Sequence, residues 1–254
     1  MNIVGIIPAR YQSVRFPGKP LVDLAGKAMI VRTYEQVSKV KQLTDVVVAT
    51  DDKRIYQTIQ SAGGKVLMTS LTHSSGTDRC ADALEQLKLD IKNTIVVNIQ
   101  GDEPFIQPQQ IEELISCFDN PHTQIATVVK ELHTENSLHN PNVVKVVLSD
   151  RGEALYFSRS VIPFMRDVAF GDISFYKHIG IYAYRAETLN EIVKLPVSPL
   201  EKAESLEQLR WLQSGYKIQT YITQYEDTVG IDTIEDVEKA LSYIRNHGVE
   251  FNLN

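Results

Sequence analysis

The 254-residue chain has few of the features found in disulfide-stabilised or membrane-spanning proteins. Its two cysteines, Cys80 and Cys117, are too few for a disulfide framework and are typical of a reducing compartment. No uninterrupted apolar run approaches the ~20 residues that a membrane-spanning helix needs. No basic segment precedes an apolar stretch at the N-terminus, as a secretory signal would require. We therefore expect a soluble, cytoplasmic protein with no membrane partner.

Several catalytic motifs are also missing. No two glycines are separated by a single residue, which excludes G-x-G-x-x-G, and neither Gly18-Lys19 nor Gly26-Lys27 completes the P-loop pattern. The histidines form no H-E-x-x-H motif and no glycine has a serine two positions later, which argues against zinc hydrolases and α/β-hydrolases. The formal net charge of -6 argues against a general nucleic-acid-binding protein. The charged partners of this chain should therefore be small molecules.

Short apolar runs alternate with amphipathic segments through the first hundred residues. The strand-like runs cover residues 3–7, 46–50 and 94–99, and the helix-like segments cover about 29–40, 53–62 and 78–87. This alternation predicts an α/β fold with a doubly wound, mostly parallel sheet. The length fits one large domain, and the spacing of residues 233–236 predicts the start of a final helix that closes the core.

The pattern changes after about residue 140. Residues 143–148, 154–158 and 178–184 have the composition of β segments separated by turns. We interpret residues 140–190, approximately, as a smaller β-rich excursion that binds substrate.

The opening strand runs directly into a loop that carries three cations, Arg10, Arg15 and Lys19. Loops at the carboxyl end of a strand are where open α/β sheets bind ligands, and these cations would supply the charge that a triphosphate requires. Two or three cations taken alone are usually a basic surface loop. Gly18 and the two flanking prolines, which restrict the backbone before any ligand arrives, favour a phosphate-binding loop instead.

Two carboxylates lie where they could meet at the same edge of the sheet. Asp102 follows the strand that ends at residue 99, and Asp232 precedes the final helix. Magnesium is usually held by one or two carboxylates together with substrate phosphates and water, so this pair is a candidate Mg²⁺ site. Taken singly, Asp102 could equally form a turn and Asp232 could equally cap a helix.

The opening segment, residues 100–104 and residues 229–233 together resemble the sugar-acid cytidylyltransferases, and most closely the type that acts on 3-deoxy-D-manno-octulosonate (Kdo). The resemblance covers nearly the whole chain and includes residues 75–79, 140–147, 154–159, 178–182 and 206–210. It implies a single nucleotidyltransferase domain over residues 1–254 and transfer of CMP from CTP to Kdo for lipopolysaccharide synthesis. It also implies Mg²⁺ as cofactor and a homodimer assembled through the β-rich excursion.

The resemblance also implies roles for individual residues. It favours Asp102 and Asp232 as metal ligands, and with them Arg10 and Lys19 as catalytic residues. The implied CTP-binding residues are Pro8, Ala9, Arg10, Arg15, Lys19, Ser75, Gly76 and Arg79. The implied Kdo-binding residues are Gln100, Arg159, His178, Tyr182, Glu207 and Gln208. Without the resemblance, Ser75 would be a helix cap, His178 a structural histidine and residues 207–208 a solvent-facing helix turn.

Three other functions remain open at this stage. The acceptor could be another sugar acid, such as 8-amino-Kdo or neuraminate, although residues 16–19 resemble the Kdo type better. A sugar-1-phosphate nucleotidyltransferase would differ in having a phosphorylated acceptor. A non-catalytic sugar-nucleotide sensor would bind CTP without releasing diphosphate, and the presence of both Asp102 and Asp232 argues against it. The residues identify no general base.

Overall fold

The computed structural model describes residues 1–13, 16–225 and 230–247. The strands in these ranges are β1 (Asn2–Ala9), β2 (Asp45–Thr50), β3 (Val66–Met68), β4 (Thr94–Asn98), β5 (Ile125–Glu131), β6 (Lys145–Leu148), β7 (Ala154–Ser158), β8 (Tyr176–Arg185) and β9 (Ile218–Ile222). The α-helices are α1 (Met29–Val37), α2 (Lys53–Ser61), α3 (Gly76–Leu87), α4 (Pro108–Ser116), α5 (Glu135–His139), α6 (Ala186–Ile192), α7 (Pro199–Glu204), α8 (Gln208–Gln213) and α9 (Ile234–His247). Within the described ranges, no helix combines the length and apolarity needed to cross a membrane.

The chain divides into two compact units. The first unit comprises Met1–Ile111 and Tyr225–Asn254, and the second comprises Glu112–Gln224. The second unit contains the predicted β-rich excursion at about residues 140–190 but begins earlier in the chain. The role of that excursion in substrate binding and dimerisation, and the single domain over residues 1–254, stay predictions.

The sheet of the first unit is wholly parallel, in the order β3-β2-β1-β4. Each step from one strand to the next in sequence passes through a helix, because parallel neighbours need a crossover connection. Central strands of such sheets are covered on both faces, which explains why β1 and β2 are nearly continuous apolar runs with buried side chains. The predicted doubly wound, mostly parallel α/β fold is confirmed.

The strands of the second unit pair in both directions. β5 pairs antiparallel with β8 and parallel with β9, while β6 pairs antiparallel with both β7 and β8. The β segments predicted after residue 140 are present as β6, β7 and β8. Their hydrophobic positions are buried on one face, as Val146 and Phe157 are.

The start of α9 is fixed by one carboxylate. Asp236 Oδ2 accepts hydrogen bonds from the backbone N–H groups of Thr233, at 3.0 Å, and Asp232, at 3.2 Å, while Lys239 Nζ donates to Oδ1 at 2.8 Å. The hydrogen bond from Lys239, supported by those from the backbone, lowers the pKa of Asp236 to about 2. The predicted helix start is therefore present, and it also holds the backbone of Asp232.

Replacing Asp236 by alanine should lower the free energy of unfolding by about 1 kcal/mol at pH 7, because backbone N–H groups at the helix start lose their acceptor. The folded-state pKa of Asp236 lies below its ordinary value of 3.8. Its contribution is therefore complete above about pH 5 and is lost as the pH falls from about 4 towards 2. Urea unfolding of wild type and Asp236→Ala at pH 7 and pH 3 measures this, with exposed Asp150→Ala as control. An Asp236→Ala effect of equal size at both pH values would contradict it.

Candidate functional site

A cavity of about 240 Å³ opens in the first unit beside the carboxyl ends of β1 and β4. These strands are paired neighbours, so the loops that follow them emerge side by side. The N-terminus of α3 and the segment before α9 complete the wall. The lining residues are Pro8, Ala9, Arg10, Ser13, Lys19, Pro20, Met29, His73, Ser74, Ser75, Gly76, Arg79, Gln100, Gly101, Asp102 and Asp232.

Lys19, Asp102 and Asp232 converge within this cavity. Lys19 Nζ donates to Asp102 Oδ2 at 2.6 Å and to Asp232 Oδ1 at 3.1 Å. The backbone supports this arrangement, because the N–H of Ile231 donates to the carbonyl of Asp102 at 3.0 Å. Ile231 is itself buried in an apolar cluster with Phe105. The two carboxylates predicted from the sequence to meet at one edge of the sheet therefore do meet there.

Glycine is required at two positions beside these side chains. A Cβ atom at Gly101 would lie 2.9 Å from the carbonyl oxygen of Pro8, which is closer than such contacts allow. Gly18 has a φ of 77°, in the left-handed region that favours glycine, and it immediately precedes the turn that begins with Lys19. The approach of the β1 and β4 loops, and the direction in which Lys19 leaves its loop, both depend on these glycines.

The two carboxylates fit a magnesium ion in chemistry and number. Carboxylate oxygens are ligands that Mg²⁺ prefers, and their convergence on one ammonium nitrogen shows that the site accommodates a cation. Within the ranges that the structure describes, no group of three or more histidine, cysteine, aspartate or glutamate side chains could hold a metal. A metal bound to Asp102 and Asp232 would therefore take its remaining ligands from phosphate oxygens and water.

The N-terminus of α3 lies at the cavity through Ser75 and Gly76. Ser75 Oγ accepts from the N–H of Asp78 at 3.0 Å, and the Asp78 carboxylate accepts from the N–H of Ser75 at 3.1 Å, which is a capping box. The Ser75 hydroxyl therefore caps the N-terminus of α3. The helix dipole favours an anion at this end of α3. This agrees with the nucleotide contacts predicted for Ser75 and Gly76, which stay predictions.

Arg79 is largely committed to contacts inside the unit. Its side chain is buried, with Nη2 donating to Asp51 Oδ2 at 2.8 Å and Nη1 donating to Thr69 Oγ1 at 2.5 Å. Because both terminal nitrogens have these partners, Arg79 connects α3 to the end of β2. A direct contact with CTP stays a prediction, although the residue lines the cavity.

The other predicted CTP residues are placed as follows. Pro8 and Ala9 are the buried last residues of β1, Arg10 is exposed at the cavity, and Arg15 lies outside the described residues. Gln100, predicted to bind Kdo, lines the same cavity and donates from Nε2 to Asn98 Oδ1 at 3.2 Å. Its assignment to the sugar acid stays a prediction.

A histidine that no sequence pattern predicted lies at this cavity. His73 lies against it, and its Nε2 is 2.6 Å from Asp82 Oδ2. Asp82 also accepts hydrogen bonds from the backbone of Ser70 and from Gln86. The nine-residue separation of His73 and Asp82 matches no short motif, so only the packing of the loop on α3 reveals the pair.

In the second unit, His178 and Tyr182 lie together on β8, with ring centroids 5.2 Å apart. His178 Nε2 is 3.1 Å from Thr127 Oγ1, and its ring packs against the edge of Phe157. Desolvation by the surrounding protein lowers the pKa of His178 to about 3, so this imidazole is neutral at pH 7. It can exchange hydrogen bonds with a sugar hydroxyl but cannot neutralise a carboxylate.

Buried polar atoms accompany this aromatic pair. The Tyr182 hydroxyl is buried near Thr127 without a hydrogen bond of good geometry within the described part of the chain, and Gln208 Nε2 and Trp211 Nε1 likewise have no partner there. The rings of Tyr182 and Trp211 are 5.1 Å apart. Buried polar atoms normally have partners, so this group is a candidate binding surface for hydroxyl groups. Trp211 was missed, because tryptophan in a helix is usually a core residue.

The remaining predicted Kdo residues differ in how they are paired. Glu207 Oε1 accepts from Arg210 Nη2 at 2.9 Å, so it belongs to an ion pair within the unit. The guanidinium of Arg159 donates from Nε to the carbonyl of Glu204 at 2.8 Å and from Nη1 to the carbonyl of Pro141 at 3.0 Å. Both acceptors of the guanidinium are neutral carbonyls, so its charge is available to an anion.

Comparison with known proteins agrees with these observations. A family model described as cytidylyltransferase matches residues 4–218. The chain is 56% identical to the 3-deoxy-manno-octulosonate cytidylyltransferase of Parabacteroides distasonis, over 97% of this chain and 99% of that protein. It is 53% identical to the protein of the same name from Bacteroides thetaiotaomicron, over 97% and 99% of the two chains.

A solved structure extends the similarity to three dimensions. It is that of CMP:2-keto-3-deoxy-manno-octonic acid synthetase complexed with CTP, which is 41% identical and superimposes with a TM-score of 0.91 over 98% of this chain and all of that one. Identity of this extent, together with a match over most of the length, is sufficient to assign the family. The chain belongs to the cytidylyltransferase family and, within it, to the group of 3-deoxy-manno-octulosonate cytidylyltransferases.

Proposed function

We propose that this protein transfers CMP from CTP to Kdo, giving CMP-Kdo and diphosphate. The observation that carries the proposal is the convergence of Lys19, Asp102 and Asp232 in a cavity lined by the end of β1 and the start of α3. The similarity to proteins named for this activity supports it. A homodimer in the cytoplasm, as the family resemblance implies, belongs to the same proposal.

The reaction is a direct displacement at phosphorus. The anomeric hydroxyl oxygen of Kdo bonds to the α-phosphorus of CTP, the bond from that phosphorus to the bridging oxygen of the diphosphate breaks, and the hydroxyl proton is released. Both reactants are anions, so the protein must first offset their repulsion and hold them in line. Arg10 and Lys19 are suited to bind phosphate oxygens, since both are cations at the cavity.

Asp102 and Asp232 are the residues we propose to hold Mg²⁺. When bound, the ion would offset phosphate charge and help to orient the triphosphate. Mg²⁺ bound to these two carboxylates would take the place of the Lys19 ammonium, which could then contact a phosphate. The site would then hold two cations, Lys19 and Mg²⁺, instead of Lys19 alone. A second cation favours binding of the triphosphate, which is a polyanion.

The groups of the second unit match the chemistry of the sugar acid. Arg159 provides an uncompensated positive charge for its carboxylate, and neutral His178, Tyr182 and Gln208 provide hydrogen-bonding atoms for its hydroxyls. Glu207 is held by Arg210 and would act as an acceptor.

Diphosphate release tests the function directly. Purified protein with Mg²⁺, CTP and Kdo should release diphosphate, whereas UTP, ATP or omission of Kdo should give little release. Neuraminate and 8-amino-Kdo serve as competing acceptors, and a higher kcat/KM for either would reassign the substrate. CTP binding without release for any acceptor would favour a sugar-nucleotide sensor. Repeating the assay after chelation with EDTA tests the metal requirement, and undiminished turnover would remove Mg²⁺ from the proposal.

Asp102→Asn should lower kcat by at least about 100-fold, since removing one group that organises charge at a reacting phosphate has effects of this size. It should also raise the Mg²⁺ concentration needed for half-maximal rate, because one of two protein ligands loses its charge. Steady-state rates over a magnesium titration measure both. Asp150→Asn, at an exposed position, is the matched control. An unchanged magnesium dependence would exclude Asp102 as a metal ligand.

Lys19→Met should reduce kcat/KM for CTP by about 100-fold or more, because a cation at the phosphates is lost. Lys19→Arg should recover only part of the rate, since guanidinium and ammonium differ in shape and hydration. Lys27→Met, an exposed lysine of the same unit, should behave as wild type. If Lys19→Met keeps normal kinetics for CTP, the phosphate role of this loop is wrong.

A further inference from the structure

Lys145 is a wholly buried lysine that the proposed reaction does not use. It lies in the segment 140–147 that contributes to the family resemblance, and its side chain has no solvent exposure. Its ammonium donates to three backbone carbonyls, those of Asn140 at 3.0 Å, Val143 at 2.6 Å and Arg159 at 2.5 Å. Three N–H donors thus meet three acceptors, and none of the acceptors is charged.

These three contacts join the loop before β6 to the residue after β7. Pro141, inside that loop, supplies the carbonyl that accepts from Arg159 Nη1 at 3.0 Å. Lys145 therefore fixes Arg159 in two ways, through the backbone carbonyl of Arg159 itself and through the loop that carries one of its side-chain acceptors.

Glu204, the last residue of α7, holds Arg159 from a second direction. Its Oε2 accepts from the backbone N–H of Arg159 at 2.9 Å, and its backbone carbonyl accepts from Arg159 Nε at 2.8 Å. Its other carboxylate oxygen accepts from Ser158 Oγ at 2.5 Å. The carboxylate is thus directed to the backbone and to a hydroxyl, and the Arg159 guanidinium forms no ion pair with a described carboxylate.

We propose that Lys145 and Glu204 are positioning residues that hold the Arg159 guanidinium, uncompensated, for the carboxylate of the sugar acid. This inference rests on the proposed function and adds to it two residues that do not touch the substrate. A guanidinium fixed through Nε and Nη1 keeps Nη2 for a ligand, and little order has to be created when the ligand binds.

The inference predicts a selective kinetic effect. Lys145→Met should raise the KM for Kdo about ten-fold while the KM for CTP stays within about two-fold. Displacement of the Arg159 guanidinium weakens the binding of the sugar acid and leaves the binding of CTP unchanged. Lys194→Met, at an exposed lysine of the same unit, is the matched control and should match wild type. Glu204→Gln keeps one acceptor oxygen and should raise the KM for Kdo in the same direction, which provides a test if Lys145→Met does not fold.

A double-mutant cycle separates positioning from general stability. If Lys145 acts through Arg159, then Lys145→Met should cause no further rise in the KM for Kdo when introduced into Arg159→Ala. Additive effects in the cycle, an equal rise in both KM values, or an unchanged KM for Kdo in the folded variants would overturn the inference while leaving the proposed function intact. A wild-type protein that releases no diphosphate with Kdo would overturn both, because Arg159 would then have no such carboxylate to bind.

Discussion

The ammonium of Lys19 between the carboxylates of Asp102 and Asp232 is the interaction that brings together the charged groups of the first unit's cavity. It joins segments that are 83 and 213 residues apart in the chain. Two carboxylates this close would repel each other without a cation, and the ammonium offsets that repulsion. The backbone hydrogen bond from Ile231 to Asp102 and the burial of Ile231 keep the two segments together independently of the side chains. The two segments are therefore held together by the backbone and by apolar packing as well as by the ammonium.

Patterns among residues close together in the sequence predicted most strands and helices of the first unit. The strands around residues 3–7, 46–50 and 94–99 were predictable from the sequence. A strand buried on both faces is a continuous apolar run, which is easily recognised. The start of α9 was predictable because Thr233 and Asp236 are three residues apart, and the Asp236 carboxylate accepts a hydrogen bond from the backbone N–H of Thr233. Such features depend only on neighbouring residues.

The parts that sequence reasoning missed depend on residues far apart in the chain. Nothing near Lys145 in the sequence shows that its ammonium meets three carbonyls, one of them 14 residues away. The pairing of His73 with Asp82 and the burial of Trp211 against Tyr182 are equally tertiary. Gln208 was expected to face solvent without the family resemblance, and it is buried because α8 packs with this face inward. Burial of a polar side chain is decided by what packs over it, which a one-dimensional pattern does not contain.

The two units treat their cations differently, and the difference matches the ligands proposed for them. In the first unit the cavity lining includes Arg10, Lys19, Asp102 and Asp232, whose formal charges cancel, so a triphosphate bound there would bring uncompensated negative charge. In the second unit Lys145 donates its hydrogen bonds to neutral carbonyls, and burial lowers the pKa of its ammonium. The Arg159 guanidinium also donates to neutral carbonyls, which leaves it able to pair with the single carboxylate of the sugar acid. Under the proposed function, Mg²⁺ would therefore offset charge where the nucleotide binds, whereas the cation for the sugar acid would be Arg159 of the chain itself.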